Sequence, residues 1–518
     1  MAEVVLIRPK FCPPSEVARE SRPPTGLLYL AAMLVPDGVT VKIMDQSVED
    51  DWRSFLEENI GAETICVGIT SLTGNMIQNG IEMVKHIRTL TSAPVVWGGV
   101  HPSLEPDTTI QSTHVDMIVV DEGEETFPEL VRYIRDKGDL SHVRGIIYKK
   151  DGKIFKNAPR ERYDLNNLPP LPLDLANLEK YRGHQMLSYF FRFNNDIAIS
   201  FETSRGCTNK CTYCVMASDN YDQKSKWRGM TAKKIADNVE FYINRYNVRS
   251  FVFVDDNFFA NPLRARDFIE EVEKRKLAIE WFADLRMDTA ERKLGVEFMK
   301  RAERAGLRSL GIGIESGSNR ILAFLNKGEK RDTYIEANRI LAQTGITPQY
   351  GFIQGLPGEK VEDIKETYTL IARFLLDNPN AIPSVNKLLP TPNTPLLKEC
   401  MKAGWKPPTT FEGWVNYCDT HWVHGPTPWM DKEAAKFIIS QLYYDDIITI
   451  ARSPRRRVYL LELILKISTK LLMFRVSSGF SYLRIEAFFY RIIRIDFIYT
   501  FMKKVYLGFL RLQGQARR

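Results

Sequence analysis

The first 150 residues alternate between short apolar runs and longer stretches whose apolar residues recur every three or four positions. The short runs are typical of buried strands, and the periodic stretches are typical of amphipathic helices. Strand–helix alternation at this spacing predicts an α/β domain with a parallel sheet covered on both faces, of the Rossmann or flavodoxin-like kind. The predicted strands are Val4–Ile7, Val41–Met44, Thr64–Ile69, Pro94–Trp97 and Met117–Val120. The predicted helices are Gly26–Leu34, Trp52–Asn59, Asn75–Leu90 and Glu125–Lys137.

Residues 151–190 are predicted to link this domain to the next. A short β-ribbon is expected between Val143 and Lys156, with its turn at Asp151-Gly152. The stretch from Leu168 to Leu173 contains three prolines, which exclude helix and favour extended chain. We therefore expect two domains joined by an extended connection.

Between residues 191 and 430, apolar strands recur every thirty to forty-five residues, with helical stretches between them. Six such units predict a partial (β/α)6 barrel, similar to a TIM barrel but not closed by eight strands, with reactive groups at the carboxyl ends of the strands. The predicted strands are Ile197–Phe201, Phe251–Val254, Ile279–Ala283, Ser309–Ile314, Thr347–Ile353 and Ser384–Leu388. The predicted helices include Thr231–Tyr246, Pro262–Lys276, Leu294–Ala305 and Arg331–Thr344.

Residues 431–518 are predicted to form a basic amphipathic helical tail. From Arg452 to Arg518 there are fifteen Lys and Arg against three acidic residues, a net charge of +12, whereas residues 1–451 carry −5. No uncharged apolar run reaches the roughly 18 residues needed to cross a bilayer. Cationic, aromatic-rich helices suit either the membrane interface or packing against the barrel, and both interpretations stay open.

Composition is typical of a globular protein, and the cysteine usage leads us to expect a reducing, cytoplasmic compartment. Its 518 residues are 44% hydrophobic and 26% charged, and the amino terminus begins a strand rather than a signal peptide. Seven cysteines, three of them clustered, do not form the framework of a secreted disulfide-rich protein. Because the body of the chain is mildly acidic and has no recognisable nucleic-acid module, we expect no nucleic-acid partner.

The chemistry is concentrated in a loop after the first strand of the central domain. Cys207, Cys211 and Cys214 have the spacing Cys-x-x-x-Cys-x-x-Cys. Three thiolates at this spacing can bind three irons of a 4Fe-4S cluster and leave the fourth iron open to a small molecule. A zinc site or three unrelated thiols are the alternatives, but zinc needs a fourth ligand, and no Cys or His occurs in the next hundred residues.

Loops at the predicted carboxyl edge of the first sheet are candidate ligand contacts. In open α/β sheets, ligands bind at this edge. Ser71 and Thr73 offer hydroxyls, and glycines allow close approach of the backbone. The candidate residues are Ser71, Thr73, Gly98, Gly99, His101, Glu122, Gly123 and Glu124.

The cysteine triad, with Tyr213 just before its last member, resembles the signature of the radical S-adenosylmethionine (radical SAM) family. The resemblance implies that S-adenosylmethionine chelates the open iron and that the reduced cluster cleaves it to a 5′-deoxyadenosyl radical. It also implies cosubstrate contacts from Tyr213, Glu315 and Ser316, and from Gly351 and Gly355 beside the adenine. Arg286 could pair with the methionyl carboxylate, or equally with Asp284 or Asp256.

The first domain resembles the cobalamin-binding domain that precedes the radical core in one large subfamily. The Gly98-Gly99-Val100-His101 loop and the Glu122-Gly123-Glu124-Glu125-Thr126 segment carry this resemblance. The chain lacks the Asp-x-His-x-x-Gly sequence that supplies a histidine to cobalt in some relatives, and His101 lies in a different loop. Cobalamin would therefore be held without a histidine below the metal, and an enzyme that has lost cobalamin is the alternative.

The resemblance implies a radical SAM enzyme, by expectation a cobalamin-dependent methyltransferase, acting on a small-molecule or lipid-like substrate. Cyclisation or rearrangement is also represented in the subfamily. An electron donor such as flavodoxin or ferredoxin is implied, as is peripheral contact with the cytoplasmic face of the membrane. A redox or scaffold protein is the alternative of another class. No catalytic residue is identified, and Cys400 and Cys418 are expected in the core.

Overall fold

The computed structural model describes residues 1–12, 22–182, 186–188, 191–193, 197–218, 227–418 and 427–438. The tail expected over residues 431–518 lies, beyond residue 438, outside the described residues. Within the described residues, no helix is both long and apolar enough to cross a membrane.

The first domain is a seven-stranded sheet with helices on both faces. Its strands are β1 (Val4–Arg8), β2 (Val41–Asp45), β3 (Cys66–Thr70), β4 (Val95–Gly98), β5 (Met117–Val119), β6 (Ile146–Lys150) and β7 (Lys153–Lys156). Its helices are α1 (Thr25–Leu34), α2 (Trp52–Asn59), α3 (Asn75–Leu90), α4 (Val100–Leu104), α5 (Pro106–Gln111) and α6 (Thr126–Arg135). The strand order is β2-β1-β3-β4-β5-β6-β7; β1 to β5 are parallel, and β6 and β7 continue the sheet antiparallel.

Strand β1 shows why the hydrophobic pattern predicts this sheet. Val4 and Leu6 are buried in a core on one face, and Val5 and Ile7 are buried in a second core on the other. Side chains alternate across a strand, so a strand covered on both faces is apolar at every position.

The second domain contains a six-stranded sheet whose strands are all parallel and lie side by side in the order in which they occur along the chain. Its strands and two small ribbons are β8 (Met186–Ser188), β9 (Phe191–Arg192), β10 (Ala198–Phe201), β11 (Ser204–Arg205), β12 (Arg228–Gly229), β13 (Ser250–Phe253), β14 (Glu280–Asp284), β15 (Leu307–Glu315), β16 (Thr347–Gln354) and β17 (Ile382–Lys387). The helices are α7 (Ala232–Tyr246), α8 (Pro262–Arg275), α9 (Met287–Thr289), α10 (Gly295–Arg304), α11 (Asn319–Phe324), α12 (Arg331–Leu341), α13 (Val361–Asp377) and α14 (Pro395–Lys402). The predicted fold class, a flavodoxin-like domain followed by a partial (β/α)6 barrel, is confirmed.

The segment after β17 packs back onto the first domain. Phe411 meets Trp97 edge to face at 5.0 Å between ring centroids, and both belong to one core with Trp405 and Trp414. Asn393, at φ +57°, makes the turn after β17, and its side-chain amide donates to the carbonyl of Leu104 in the first domain. The two domains therefore share a core on one side of the molecule.

Candidate functional site at the junction of the two domains

A cavity of about 420 Å³ lies between the carboxyl ends of the first sheet and the cysteine loop. This volume is in the range of small-molecule and cofactor sites. Glycines and apolar side chains make up much of the first-domain wall, and the second domain contributes residues on both sides of the cysteine triad. Among the lining residues are Gly26, Gly68, Gly98, Gly99, Asp121, Glu122, Gly123, Glu124, Arg162, Glu202, Arg205, Gly206, Val215, Met216, Arg228 and Asp256.

Two glycines keep the sheet end of this cavity free of side chains. Gly99 has φ +89°, and a Cβ there would lie 2.6 Å from the Thr70 hydroxyl oxygen. A Cβ at Gly68 would lie 2.8 Å from a methyl carbon of Leu6. Glycine is therefore required at both positions by the packing of the protein itself, and both residues line the cavity without a side chain.

Three first-domain candidates lie outside the lining of the cavity. The Thr73 hydroxyl oxygen lies 2.9 Å from His101 Nδ1, and the His101 ring packs beside Phe411 and Trp414 at 5.6 and 5.8 Å. Burial lowers the pKa of His101 to about 3, so the ring is neutral. The buried Ser71 hydroxyl and His101 Nε2 have no hydrogen-bond partner among the described residues.

The acidic candidates are ion-paired with the second domain. Arg205 Nη2 donates to Glu124 Oε1 at 2.5 Å, and Arg205 Nη1 lies 3.3 Å from Glu122 Oε2. Arg205 Nε also donates to Glu202 Oε2 at 2.6 Å, and Arg228 Nη2 donates to Glu122 Oε1. Although burial opposes it, the Arg205 and Arg228 guanidinium groups hold the pKa of Glu122 below its usual value. This network joins the end of β5 to the residues just before the cysteine triad.

A second buried network fixes the start of the cysteine loop. Asp255 accepts hydrogen bonds from the Thr203 amide at 2.6 Å and from the Ser204 hydroxyl at 2.6 Å, and it pairs with Arg264 at 3.3 Å. Gly206, at φ +86°, donates its amide to Asp256 Oδ2 at 2.8 Å. The loop is closed at its base by antiparallel pairing of β11 with β12.

The three cysteines are presented by this one loop. Cys211 is buried, and Cys207 and Cys214 are partly exposed. Burial raises the pKa of the Cys211 thiol and raises that of Cys214 to about 12. Within the described residues, no three His, Cys, Asp or Glu side chains converge closely enough to hold a single metal ion. In a 4Fe-4S cluster each cysteine binds a different iron, so the thiols need not converge on one point.

Tyr213 and Glu315 are brought together beside the triad. The Tyr213 hydroxyl donates to Glu315 Oε1 at 2.7 Å, and Lys327 Nζ donates to the same oxygen at 3.1 Å. Glu315 has φ +66° and follows a register shift between β15 and β16. A Cβ at Gly313 would lie 2.3 Å from Glu315 Oε1, so glycine is required there for the carboxylate to reach Tyr213.

Arg286 is paired with carboxylates of its own domain, and these are Asp288 and Glu329 rather than Asp284 or Asp256. Its guanidinium lies 3.3 Å from Asp288 and 3.5 Å from Glu329, and it donates to the carbonyl of Lys327 at 2.9 Å. Burial raises the pKa of nearby Asp284 to about 7.

The remaining barrel candidates differ in their surroundings. The buried Ser316 hydroxyl lies 3.1 Å from the Thr367 hydroxyl and accepts from the Ser318 amide. Gly355, at φ +78°, donates its amide to Glu359 at 2.6 Å. A Cβ at Gly351 would meet only the Ile312 carbonyl oxygen, at 3.8 Å, so space is open beside this glycine.

Several site residues were missed by reasoning from the sequence. Arg205 lies two residues before Cys207, so its position next to the triad was a usable signal. Lys327 lies in a loop after α11, and Arg228 lies in the short strand β12. Neither has a local pattern that distinguishes it from a solvated surface cation.

Two different protein-family models match the two domains of this chain. The family model of the radical SAM superfamily matches residues 201–371, and that of the B12 binding domain matches residues 16–131. An uncharacterized methyltransferase of Pyrococcus horikoshii is 30% identical over 380 residues, which are 70% of this chain and 77% of that protein. The anaerobic magnesium-protoporphyrin IX monomethyl ester cyclase of Synechocystis is 26% identical over 336 residues, 64% of each chain. This chain thus spans just under two thirds of the cyclase.

Two solved structures share the fold. OxsB, a cobalamin-dependent S-adenosylmethionine radical enzyme, superposes with a TM-score of 0.69 at 18% identity, over 92% of this chain and 72% of that chain. TsrM, a radical S-adenosylmethionine methyltransferase from Kitasatospora setae, superposes with a TM-score of 0.62 at 20% identity, over 77% of this chain and 76% of that chain.

Proposed function

The chain belongs to the radical SAM superfamily and carries a B12-binding domain before its radical SAM core, and we propose that it is a cobalamin-dependent methyltransferase acting on a small apolar or membrane-associated substrate. The observation that supports this proposal is the cavity between the carboxyl ends of β3 to β5 and the cysteine loop. One cavity wall belongs to the B12-binding domain, and the opposite wall includes residues adjacent to the triad. A cofactor held by the first domain would therefore face the cluster site.

When bound, the 4Fe-4S cluster supplies the electron that cleaves S-adenosylmethionine, and cobalamin supplies the transferable methyl group. Cys207, Cys211 and Cys214 would hold three irons of the cluster. Tyr213 and Glu315, next to Cys211, are the proposed contacts for S-adenosylmethionine, and Gly351 leaves open space on β16. Arg286 pairs with Asp288 and Glu329, and the Ser316 hydroxyl lies beside that of Thr367, so the role proposed for both is to hold the surrounding barrel loops in place.

The residues of the cavity fit a cobalamin held without a histidine ligand. Gly98 and Gly99 line the cavity and would let the ligand lie against the backbone. Ser71, whose buried hydroxyl has no partner among the described residues, lies outside the cavity lining. His101 is neutral, buried and outside the cavity lining. Glu122 and Glu124 would act through Arg205, by fixing the distance between the two walls, rather than by touching the cofactor.

Methyl transfer is preferred over cyclisation because the relative at 30% identity is named a methyltransferase. Cyclisation is the second candidate, since the Synechocystis cyclase aligns over 64% of this chain. A methylated product gains one methylene unit in mass, whereas ring closure adds no carbon, so mass spectrometry of the product separates the two.

The test is anaerobic reconstitution with iron, sulfide and cobalamin, followed by S-adenosylmethionine and dithionite. We expect both 5′-deoxyadenosine and S-adenosylhomocysteine, and an absorption spectrum of protein-bound cobalamin after gel filtration. Bound cobalamin without 5′-deoxyadenosine would contradict the radical step. 5′-Deoxyadenosine without bound cobalamin would favour a radical SAM enzyme that has lost cobalamin. The absence of both 5′-deoxyadenosine and bound cobalamin would favour a redox or scaffold protein.

The basic tail supports the proposed location of the substrate. Its net charge of +12 from Arg452 to Arg518 would attract acidic lipid. Flotation with vesicles containing phosphatidylserine should depend on residues 452–518, and equal flotation without them would contradict membrane contact. We propose flavodoxin or ferredoxin as the physiological electron donor, and either protein should replace dithionite in the assay.

A further inference from the structure

The Lys327 side chain is buried beside the cysteine loop. Only 5% of the residue is exposed. Its Nζ lies 3.1 Å from Glu315 Oε1, 3.2 Å from the Tyr213 hydroxyl and 3.9 Å from Glu329 Oε2. Two carboxylates and a hydroxyl thus replace the water that a lysine normally keeps, which maintains the positive charge inside the protein.

The backbone around Lys327 is bound to the cysteine loop on both sides of Cys211. The Thr212 amide donates to the Leu325 carbonyl at 2.9 Å, and the Asn326 side-chain amide donates to the Lys210 carbonyl at 2.8 Å. Lys327 is close enough for its charge to act on the Cys211 thiol. The position of this cation relative to the triad is therefore fixed by hydrogen bonds.

We propose that Lys327 sets the reduction potential of the cluster held by Cys207, Cys211 and Cys214, an inference that rests on the function proposed above. Reduction adds one negative charge to the cluster. A buried cation stabilises that charge, because Coulomb interactions are strong where water is excluded, and so makes the potential more positive. Exposed lysines such as Lys330 are screened by water and salt and contribute little.

The Glu315 carboxylate should have the opposite effect on the reduction potential of the same cluster. Its carboxylate accepts from both Lys327 and Tyr213, and it offsets the lysine charge. Loss of the lysine charge should therefore make the potential more negative, and loss of the carboxylate charge should make it more positive. Opposite shifts from two contacting residues indicate an effect of charge, because a packing defect would not depend on the sign of the removed charge.

The experiment compares wild type, Lys327→Met, Glu315→Gln, the double variant and Lys330→Met. Each is reconstituted anaerobically without S-adenosylmethionine, iron content is measured, and the cluster is titrated with dithionite and followed by electron paramagnetic resonance. We expect Lys327→Met to disfavour reduction about tenfold, which for one electron is about 59 mV. Glu315→Gln should shift the potential in the positive direction, the double variant should return towards wild type, and Lys330→Met should not shift it.

The outcomes separate this inference from the proposed function. A wild-type protein that assembles no cluster contradicts the proposed function. An assembled cluster whose potential is unchanged in Lys327→Met, or shifts in the same direction in both single variants, contradicts the role of Lys327. If Lys327→Met fails to assemble the cluster, two other variants keep the inference testable. Lys327→Arg should have the wild-type potential, and Glu315→Gln should have a more positive potential than wild type. A different potential in Lys327→Arg, or no positive shift in Glu315→Gln, would contradict the inference.

Discussion

Arg205 Nη2 lies 2.5 Å from Glu124 Oε1, across 81 residues of sequence and across the boundary between the two domains. Arg205 is two residues before Cys207, and Glu124 is two residues before the start of α6. The ion pair therefore joins the cysteine loop to the end of the B12-binding sheet. Because Glu122 and Glu202 pair with the same guanidinium, one residue sets the separation of the two cavity walls.

Replacing Arg205 with Gln should weaken both the domain junction and cobalamin binding. It removes the positive charge that compensates three carboxylates, and breaking a buried ion pair costs about 3–5 kcal/mol. We expect a lower unfolding midpoint and at least a tenfold loss in cobalamin affinity, measured by absorbance titration.

Arg245→Gln is the matched control for this change. Arg245 pairs with Asp174 on the surface, where each side chain is more than half exposed. Exposed ion pairs contribute little to stability, so affinity and unfolding midpoint should stay at wild-type values. Equal losses in both variants would contradict a specific role for Arg205.

Cys211→Ala should abolish assembly of the cluster while the fold is kept. The buried thiol is one of three iron ligands that we propose, and a cluster with two remaining protein ligands is not retained. Iron content after anaerobic reconstitution measures this outcome. Cys400→Ala, a change in the core next to Trp405, should keep the iron, and retention of the full iron content in Cys211→Ala would show that the ligand assignment is wrong.

Larger side chains at Gly98 should exclude cobalamin progressively. Gly98 lines the cavity, and a Cβ there would meet only Val119, at 3.7 Å or more. Ala should therefore be tolerated, whereas Val should lower cobalamin affinity about tenfold or more, equivalent to about 1.4 kcal/mol. Circular dichroism would check folding, and a wild-type affinity in folded Gly98→Val would place the cofactor elsewhere.

His101 should make stability depend on pH. Its pKa is about 3 in the folded protein and about 6.5 when exposed, so below pH 6.5 the unfolded chain binds a proton that the folded chain does not. The contribution of the neutral His101 ring to the free energy of unfolding is therefore present above about pH 6.5. It makes the free energy of unfolding fall by about 1.4 kcal/mol between pH 7.5 and 5.5.

His101→Gln should therefore reduce the pH dependence of urea unfolding over this range. His142→Gln is the control, because the His142 side chain is 70% exposed. If wild type and His101→Gln lose the same stability between pH 7.5 and 5.5, the neutral buried ring is not the cause.

Both sheets and the kind of cluster site could be predicted from the amino-acid sequence. β1 and β16 were placed to within one residue, because the apolar pattern that makes a strand is local and is set by which faces are covered. The spacing of Cys207, Cys211 and Cys214 is likewise local, so the type of metal site could be predicted from eight consecutive residues.

The partner of each charged residue could not be predicted from the sequence and is apparent in the three-dimensional structure. Glu122 and Glu124, which were predicted as ligand contacts, line the cavity, and their carboxylates pair with Arg205 and Arg228, which are distant in sequence. Lys327 has the sequence context of a surface lysine, and its burial beside Cys211 follows from the packing of the loop after α11 on the cysteine loop. Hydrophobic periodicity reports which side of an element is covered, whereas the pairing of charges depends on how separate loops meet in space.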